Sequence, residues 1–124
     1  MALRVMVVDD AQFMRNMLKD IFVRAGHDVV AEAENGEIAL ELYQELKPDL
    51  VTMDIVMPRK SGIEALQDIM ALNASACVVM VSALGQDSLV LEAVESGAKD
   101  FIVKPFKEEK VLEIVNRVTS NLSD

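Results

Sequence analysis

The sequence predicts an α/β fold in which a five-stranded parallel sheet is covered by helices on both faces. Apolar runs of strand length alternate five times with amphipathic patterns of helical period, and the segments between them are short. Short alternating connections place successive strands parallel to one another. The run between Pro48 and Pro58 agrees with this, because its apolar residues do not alternate, as is typical of a central strand buried on both faces.

The first half of the chain contains two strand–helix pairs. Residues 3–8 form an apolar strand that ends at two acids, and Gly26 stands where a left-handed residue would end the first helix. Residues 28–33 form a second short strand, after which Asn35 and Gly36 turn the chain into a second helix. The apolar stripes expected to face the core are Met14, Met17, Leu18, Ile21, Phe22 and Ala25 in the first helix, and Ile38, Leu42, Tyr43 and Leu46 in the second.

The third strand delivers one carboxylate, Asp54, at its C-terminal end. Pro48 ends the segment before it, and Pro58 forces the chain out of the sheet. An unpaired charge at a buried strand end is costly, so we expect other parts of the chain to supply partners for Asp54. The apolar residues of this strand are Leu50, Val51, Met53 and Ile55.

The second half repeats the pattern. Ser61 and Glu64 have the spacing of a capping box, which predicts the start of the third helix. Residues 77–81 form a continuous apolar strand with Ser82 just past its end, and residues 100–103 form the last strand before the fifth helix. The stripes of the last three helices are Ile63, Leu66, Ile69 and Met70; Leu89, Val90, Ala93 and Val94; and Val111, Leu112, Val115, Val118 and Leu122.

Length and composition predict one soluble domain over residues 1–124, located in the cytoplasm. The hydrophobic fraction of 52% supports a well-filled core. The formal net charge of −9 argues against binding to nucleic acid or to an anionic membrane surface, since both interactions need basic residues. The single cysteine, Cys77, excludes an internal disulfide and fits a reducing compartment. No run is long enough to span a bilayer, and the N-terminus has no signal-peptide pattern.

Polar residues follow four of the five predicted strands, where functional groups of open parallel sheets collect. They are Asp9 and Asp10 after the first strand, Asp54 on the third, Ser82 after the fourth and Lys104 after the fifth. Three carboxylates in one crevice repel each other unless a cation lies among them. Hard oxygen ligands without histidine or thiolate favour Mg²⁺. A carboxylate beside Mg²⁺ and an ammonium group is suited to accept a phosphoryl group.

Each of these residues also has an ordinary structural interpretation. Asp10 alone could cap the first helix, Lys104 alone could be a solvated surface cation, and Ser82 alone could be a turn residue. Asp54 at a buried strand end is the hardest to explain by structure. The five together, distributed over different strand ends, favour a functional site.

The spaced motifs together resemble the receiver domains of response regulators over the whole chain. The motifs are Asp9-Asp10, Asp54 with Met57-Pro58 and Gly62, Ser82-Ala83, Gly97-Ala98 and Lys104-Pro105-Phe106. The resemblance implies a flavodoxin-like strand order 2-1-3-4-5. It further resembles stand-alone chemotaxis regulators of the CheY type, and the end of the chain soon after the fifth helix suggests that no output domain is attached.

The same resemblance implies a role for each motif residue. Asp54 is the phosphoacceptor, Asp10 and Asp54 ligate Mg²⁺ directly, Asp9 acts mainly through water, and the backbone carbonyl of Val56 is the third protein ligand. Ser82 and Lys104 bind the phosphoryl oxygens, so Asp54, Lys104 and Ser82 form the catalytic set. Ser82 and Phe101 form the conformational switch.

The implied function is that of a monomeric two-component signalling switch in chemotaxis. A histidine kinase phosphorylates Asp54, the phosphorylated form binds a flagellar motor switch protein, and a phosphatase is a further partner. The protein catalyses its own phosphorylation from a phosphohistidine donor and its own dephosphorylation, without being a metabolic enzyme. Val56 and Leu84 are apolar where enterobacterial relatives carry an amide and an acid, which argues against the helper phosphatase of enteric bacteria.

Three other functions compete with this one. A metal-dependent phosphatase with an aspartyl nucleophile needs a second acid two residues later, where this chain has Ala11 after Asp9 and Val56 after Asp54. A flavodoxin needs a hydroxyl- and glycine-rich phosphate loop after the first strand, where two acids stand here. A receiver that passes its phosphoryl group along a phosphorelay uses identical site chemistry, so this alternative stays open.

Overall fold

The computed structural model describes residues 2–120 and contains the five strands and five helices that the sequence predicts. Leu122, expected on the stripe of the last helix, lies outside the described residues. The strands are β1 (Arg4–Val8), β2 (Asp28–Ala33), β3 (Leu50–Asp54), β4 (Val78–Ser82) and β5 (Asp100–Val103). The helices are α1 (Gln12–Arg24), α2 (Gly36–Leu46), α3 (Gly62–Leu72), α4 (Asp87–Glu95) and α5 (Glu108–Val118).

The strands form one parallel sheet in the order β2-β1-β3-β4-β5, which confirms the predicted strand order and the flavodoxin-like class. The order reverses between β1 and β3, so the connections after these two strands leave on opposite sides of the sheet. This divergence opens a crevice at the carboxyl ends of β1 and β3. Asp54 lies opposite Val81, and Ser82 lies opposite Val103.

Two apolar cores cover the two faces of the sheet. Alternate residues of the central strand enter opposite cores: Val51 and Met53 face the core shared with α2, α3 and α4, whereas Leu50 faces the core shared with α1 and α5. A strand buried on both faces explains why its sequence shows no alternation of apolar and polar residues.

Capping side chains begin two of the helices, and the capping box predicted for α3 is confirmed. The Asn35 side chain accepts a hydrogen bond from the Ile38 amide at the start of α2. At the start of α3, Ser61 and Glu64 form a reciprocal capping box. These caps satisfy amides that have no partner within the helix, and they fix where the chain leaves the sheet.

Two details differ from the sequence-based expectation. Ser82 is the last residue of β4, because the sheet hydrogen bonds continue through its carbonyl, which accepts from the Lys104 amide at 2.7 Å. Ala25 and Val94, both assigned to apolar stripes, are exposed. Ala25 is the C-cap residue of α1, and only Ala93 of α4 is fully buried because α4 packs against the sheet along a narrow strip. Within residues 2–120, none of the helices is long and apolar enough to cross a membrane.

Candidate functional site

The predicted site residues meet at the carboxyl edge of the sheet. Asp9 follows β1, Asp54 ends β3, Ser82 ends β4 and Lys104 follows β5. Asp9, Asp54 and Ser82 are buried, whereas Asp10 is exposed at the mouth of the crevice. Parallel strands of similar length bring their carboxyl ends to one edge, so residues far apart in sequence become neighbours here.

Lys104 lies between two of the acids. Its Nζ donates to Asp9 Oδ2 at 3.2 Å and to Asp54 Oδ2 at 3.4 Å. Burial lowers the pKa of Lys104, but the charges of Asp54 and Asp9 outweigh that effect and the net pKa is raised. The lysine is therefore a fixed positive charge at the point where a group bound to Asp54 would lie, and it is not a solvated surface cation.

Asp54 carries an unusual carboxyl group. Burial, followed by the negative charge of Asp9, raises its pKa from 3.8 to about 6, and the nearby charge of Lys104 only partly offsets this. Asp10 adds a smaller repulsion. The geometry therefore maintains a carboxylate that gains from any additional cation placed beside it.

The three acids form a cluster suited to a divalent cation. One carboxylate oxygen each from Asp9, Asp10 and Asp54 lies within 4.8 Å of the others. Donors that are all carboxylate oxygens match Mg²⁺, a hard ion that retains several waters. Burial, followed by the charge of Asp9, raises the pKa of Asp54, so a cation beside this carboxylate would favour its ionised form. The residues present thus fit the ion that the sequence predicts.

Asp9 and Asp10 differ in how the chain holds them. Asp9 Oδ1 accepts a hydrogen bond from the Ala11 amide at 2.9 Å, and the Asp9 amide donates to the Ala33 carbonyl at 3.0 Å. The N-cap residue of α1 is Ala11, whose side chain accepts no hydrogen bond. The alternative in which Asp10 caps this helix is therefore wrong, and the Asp10 carboxylate stands at the mouth of the cluster.

The loop between β3 and α3 comes very close to Asp54. A Cβ atom at Gly62 would lie 2.0 Å from the Asp54 carbonyl oxygen, and the Gly62 amide donates to the Ile55 carbonyl at 2.8 Å. Only a glycine allows the start of α3 to approach the strand end this closely. Val56, whose carbonyl is a predicted metal ligand, sits in this loop with its side chain exposed.

Ser82 also connects the site to a neighbouring surface. It lines one end of a groove of about 400 Å³ between the β4–α4 loop, α4 and β5. Phe101 lines the same groove and is 37% exposed. The predicted switch residues Ser82 and Phe101 therefore line the same groove, and Phe101 is not a buried core residue.

Arg15 lies beside the site, although no motif in the sequence pointed to it. This residue is buried on α1, and its Nη1 donates to the Asp9 carbonyl at 2.7 Å. A charged residue three positions before Leu18 and seven before Phe22 falls on the buried stripe of the helix. A cation at a core-facing position was the signal that could have revealed it.

Comparison with known proteins gives one consistent result. The profile of the response regulator receiver domain matches residues 5–116. Chemotaxis protein CheY of Bacillus subtilis is 57% identical over 117 residues, which cover 94% of this chain and 98% of that protein. Chemotaxis protein CheY of Thermotoga maritima is 54% identical over 119 residues, which cover 96% of this chain and 99% of that protein.

A solved structure agrees with these relatives. A chain in the crystal structure of the CheX–CheY–BeF3–Mg²⁺ complex from Borrelia burgdorferi is similar with a TM-score of 0.89 and 41% identity. The similarity covers 93% of this chain and 87% of that chain.

Proposed function

The chain belongs to the response regulator receiver domain family, and we propose from this premise that it is a chemotaxis response regulator phosphorylated on Asp54. A histidine kinase is the phosphodonor, and Mg²⁺ is required. The phosphorylated form signals by binding a flagellar motor switch protein. We place this function in the cytoplasm, with a monomer as the active unit and residues 1–124 as one receiver domain.

The observation that carries the proposal is the position of Lys104 between Asp9 and Asp54. A cation fixed at 3.4 Å from an Asp54 carboxylate oxygen can follow that oxygen when it becomes part of an acyl phosphate. The three-acid cluster beside it provides oxygen ligands on the other side. The CheY relatives, which match almost end to end, support chemotaxis as the setting.

The chemistry is a direct phosphoryl transfer. An oxygen of ionised Asp54 attacks phosphorus, the bond from phosphorus to the donor imidazole nitrogen breaks, and the imidazole leaves. Lys104 and the Ser82 hydroxyl stabilise the phosphoryl oxygens by hydrogen bonding. Mg²⁺, when held by Asp9, Asp10, Asp54 and the Val56 carbonyl, supplies positive charge against the phosphoryl oxygens. Dephosphorylation uses the same residues, with water as the attacking group.

Two exposed apolar residues stand two positions after the site residues Asp54 and Ser82. Val56 and Leu84 are 55% and 77% exposed. Neither side chain can orient a water molecule by hydrogen bonding, so we propose that a separate phosphatase supplies this group. The structural similarity to a chain of the CheX–CheY–BeF3–Mg²⁺ complex, in which BeF3 mimics a phosphoryl group, supports a partner of the CheX kind.

Phosphorylation of Asp54 is tested with acetyl phosphate. We expect one phosphoryl group by intact mass, dependence on Mg²⁺, and no labelling of Asp54→Asn. Asp68→Asn is a matched control, because Asp68 is a half-buried acid on α3 paired with Lys60 outside the site; it should be labelled like the wild type. Mg²⁺-dependent labelling of Asp54→Asn would contradict the assignment.

The output partner requires a separate experiment. The protein with and without beryllofluoride is presented with a purified flagellar motor switch protein and with a purified histidine phosphotransfer protein. We expect beryllofluoride to increase binding to the switch protein. Rapid transfer from phosphorylated Asp54 to the phosphotransfer protein, without a gain in binding to the switch protein, would favour the phosphorelay alternative.

A further inference from the structure

Arg15 is a buried cation that the proposed chemistry does not use. Its side chain is 11% exposed and makes three hydrogen bonds. Nη1 donates to the Asp9 carbonyl at 2.7 Å, Nη2 to Gln12 Oε1 at 2.6 Å, and Nε to Glu32 Oε1 at 3.1 Å. The guanidinium therefore joins the β1–α1 turn, the first turn of α1 and the end of β2.

The bond to the Asp9 carbonyl acts on Asp10. The carbonyl of Asp9 and the amide and Cα of Asp10 belong to one planar peptide unit. A donor that fixes the Asp9 carbonyl therefore also fixes the position of the Asp10 Cα, from which the carboxylate side chain projects. Asp10 does not cap α1, and it is exposed at the mouth of the crevice. Its carboxylate is thus positioned by the backbone on which it stands.

Asp9 itself is already fixed at its other polar atoms. Its amide donates to Ala33, Oδ1 accepts from Ala11 and Oδ2 accepts from Lys104. The carbonyl bond to Arg15 completes this set. Without it, the carbonyl oxygen between Asp9 and Asp10 would lose its hydrogen bond to a side chain among residues 2–120.

Glu32 holds the guanidinium in this orientation. Its carboxylate accepts from Lys19 at 2.7 Å and from Arg15 at 3.1 Å. The hydrogen bond from Lys19, opposed by burial and then assisted by Arg15, lowers the pKa of Glu32, so the carboxylate stays ionised. Lys19 shares this carboxylate with Arg15, and within residues 2–120 its ammonium group bonds to Glu32 and not to the β1–α1 turn.

We propose that Arg15 is a positioning residue for the metal-binding acids, acting through the Asp9 carbonyl to hold the Asp10 carboxylate at the cluster. This inference rests on the proposed function. It predicts that replacing Arg15 weakens Mg²⁺ binding, which is the opposite of what its charge alone would predict. Removing a cation near three acids strengthens Mg²⁺ binding if only charge matters, whereas loss of positioning weakens it.

The test measures Mg²⁺ affinity by calorimetry in Arg15→Met, Arg15→Lys and the charge-matched control Lys19→Met. We expect Arg15→Met to weaken binding at least threefold and Lys19→Met to leave it unchanged or slightly stronger. Arg15→Lys keeps the charge but cannot span three acceptors, so we expect a value between wild type and Arg15→Met. If Arg15→Met does not fold, Arg15→Lys decides: Mg²⁺ binding weaker than that of the wild type is expected, and an affinity equal to the wild type would overturn the inference.

A second measurement uses the metal-free protein in EDTA. The Ala11 amide, which donates to Asp9 Oδ1, should exchange with solvent faster in Arg15→Met and at the wild-type rate in Lys19→Met. If Arg15→Met weakens Mg²⁺ affinity less than threefold, or leaves exchange of the Ala11 amide unchanged, the inference is overturned while the proposed function stands. Absence of Mg²⁺ binding by the wild type would overturn the proposed function and this inference with it.

Discussion

At the scale of single residues, the site concentrates charge where folded proteins ordinarily avoid it. Asp9 and Asp54 are almost wholly buried, and Asp10 lies beside them. Lys104 is the cation that contacts the two buried acids, so negative charge remains in excess. A buried carboxylate without sufficient compensation is destabilising, and we expect cations that enter the cluster to stabilise the fold.

Thr52 shows the energetic cost of burying a hydroxyl group without a hydrogen-bond partner. Among residues 2–120, its Oγ1 is the one buried side-chain N or O atom that lacks a hydrogen-bond partner. Valine has nearly the same shape without the hydroxyl, so Thr52→Val should raise the free energy of unfolding by about 1 kcal/mol. Urea titration in EDTA measures this value.

Thr119 provides the matched control for Thr52. It is also buried, but its Oγ1 donates to the Val115 carbonyl at 2.6 Å. Thr119→Val should therefore lower the free energy of unfolding by about 0.5–1.5 kcal/mol. A loss of stability in both variants would show that the Thr52 hydroxyl has a favourable interaction.

At the scale of elements, the edge formed by α4 and β5 has an apolar surface that connects with the site through Ser82. Large apolar residues that are at least 37% exposed along this surface are Leu84, Leu91, Val94, Phe101 and Val103. Exposed apolar residues gathered on one face are typical of interaction surfaces. We expect a partner protein to bind this face, together with α5, in a way that depends on whether Asp54 is phosphorylated.

Ser82→Ala should uncouple phosphorylation from partner binding. A phosphoryl group adds close to two negative charges and three acceptor oxygens. Each charge-assisted hydrogen bond contributes roughly 1.5–3 kcal/mol, so two or three supply the roughly 5.5 kcal/mol that inverts a population of 1:99. Without the hydroxyl, the β4–α4 loop loses its contact with the phosphoryl group, and Phe101 keeps its outward position.

The measurement for Ser82→Ala is affinity for the motor switch protein with and without beryllofluoride. The variant should still be phosphorylated but should lose most of the gain in affinity. Ser88→Ala, the same change on the exposed side of α4, should behave like the wild type. A Ser82→Ala protein with the full gain would rule out this route for the signal.

At the scale of the whole molecule, Asp54 should make the stability of the metal-free protein depend on pH. Its pKa is raised from 3.8 to about 6 by folding. The folded state therefore binds the proton more tightly, and this stabilisation is fully present below pH 3.8 and lost as the pH rises through 6. The difference corresponds to about 3 kcal/mol at most.

Asp54→Asn isolates this contribution. In EDTA at pH 8 it should be more stable than the wild type by about 1–3 kcal/mol, and the difference should shrink as the pH falls from 6 to 4. The comparison must use the difference between the two proteins, because Glu32, whose pKa is lowered, shifts stability in the opposite direction in both. A difference that stays constant between pH 4 and pH 8 would contradict the raised pKa.

The sequence by itself determined the element order and the residues of the candidate site. Alternating strand and helix patterns imply a parallel sheet, and the carboxyl ends of parallel strands meet at one edge. The sequence alone therefore groups the candidate site residues, which are Asp9, Asp10, Asp54, Ser82 and Lys104. The capping box at Ser61 was equally predictable from the sequence, because its hydrogen bonds form within four residues. Their roles in phosphoryl transfer stay predictions.

Only the tertiary structure decided how these residues touch. The deciding contacts join separate parts of the chain. Lys104 bonds to two acids, Gly62 lies close to the Asp54 carbonyl, and Arg15 donates a hydrogen bond to the Asp9 carbonyl. Sequence patterns report periodicity and local capping, but distances between elements depend on how side chains pack on both faces of the sheet. The burial that raises the pKa of Asp54 is likewise a property of that packing, since the same carboxyl group in solvent would titrate near its usual value.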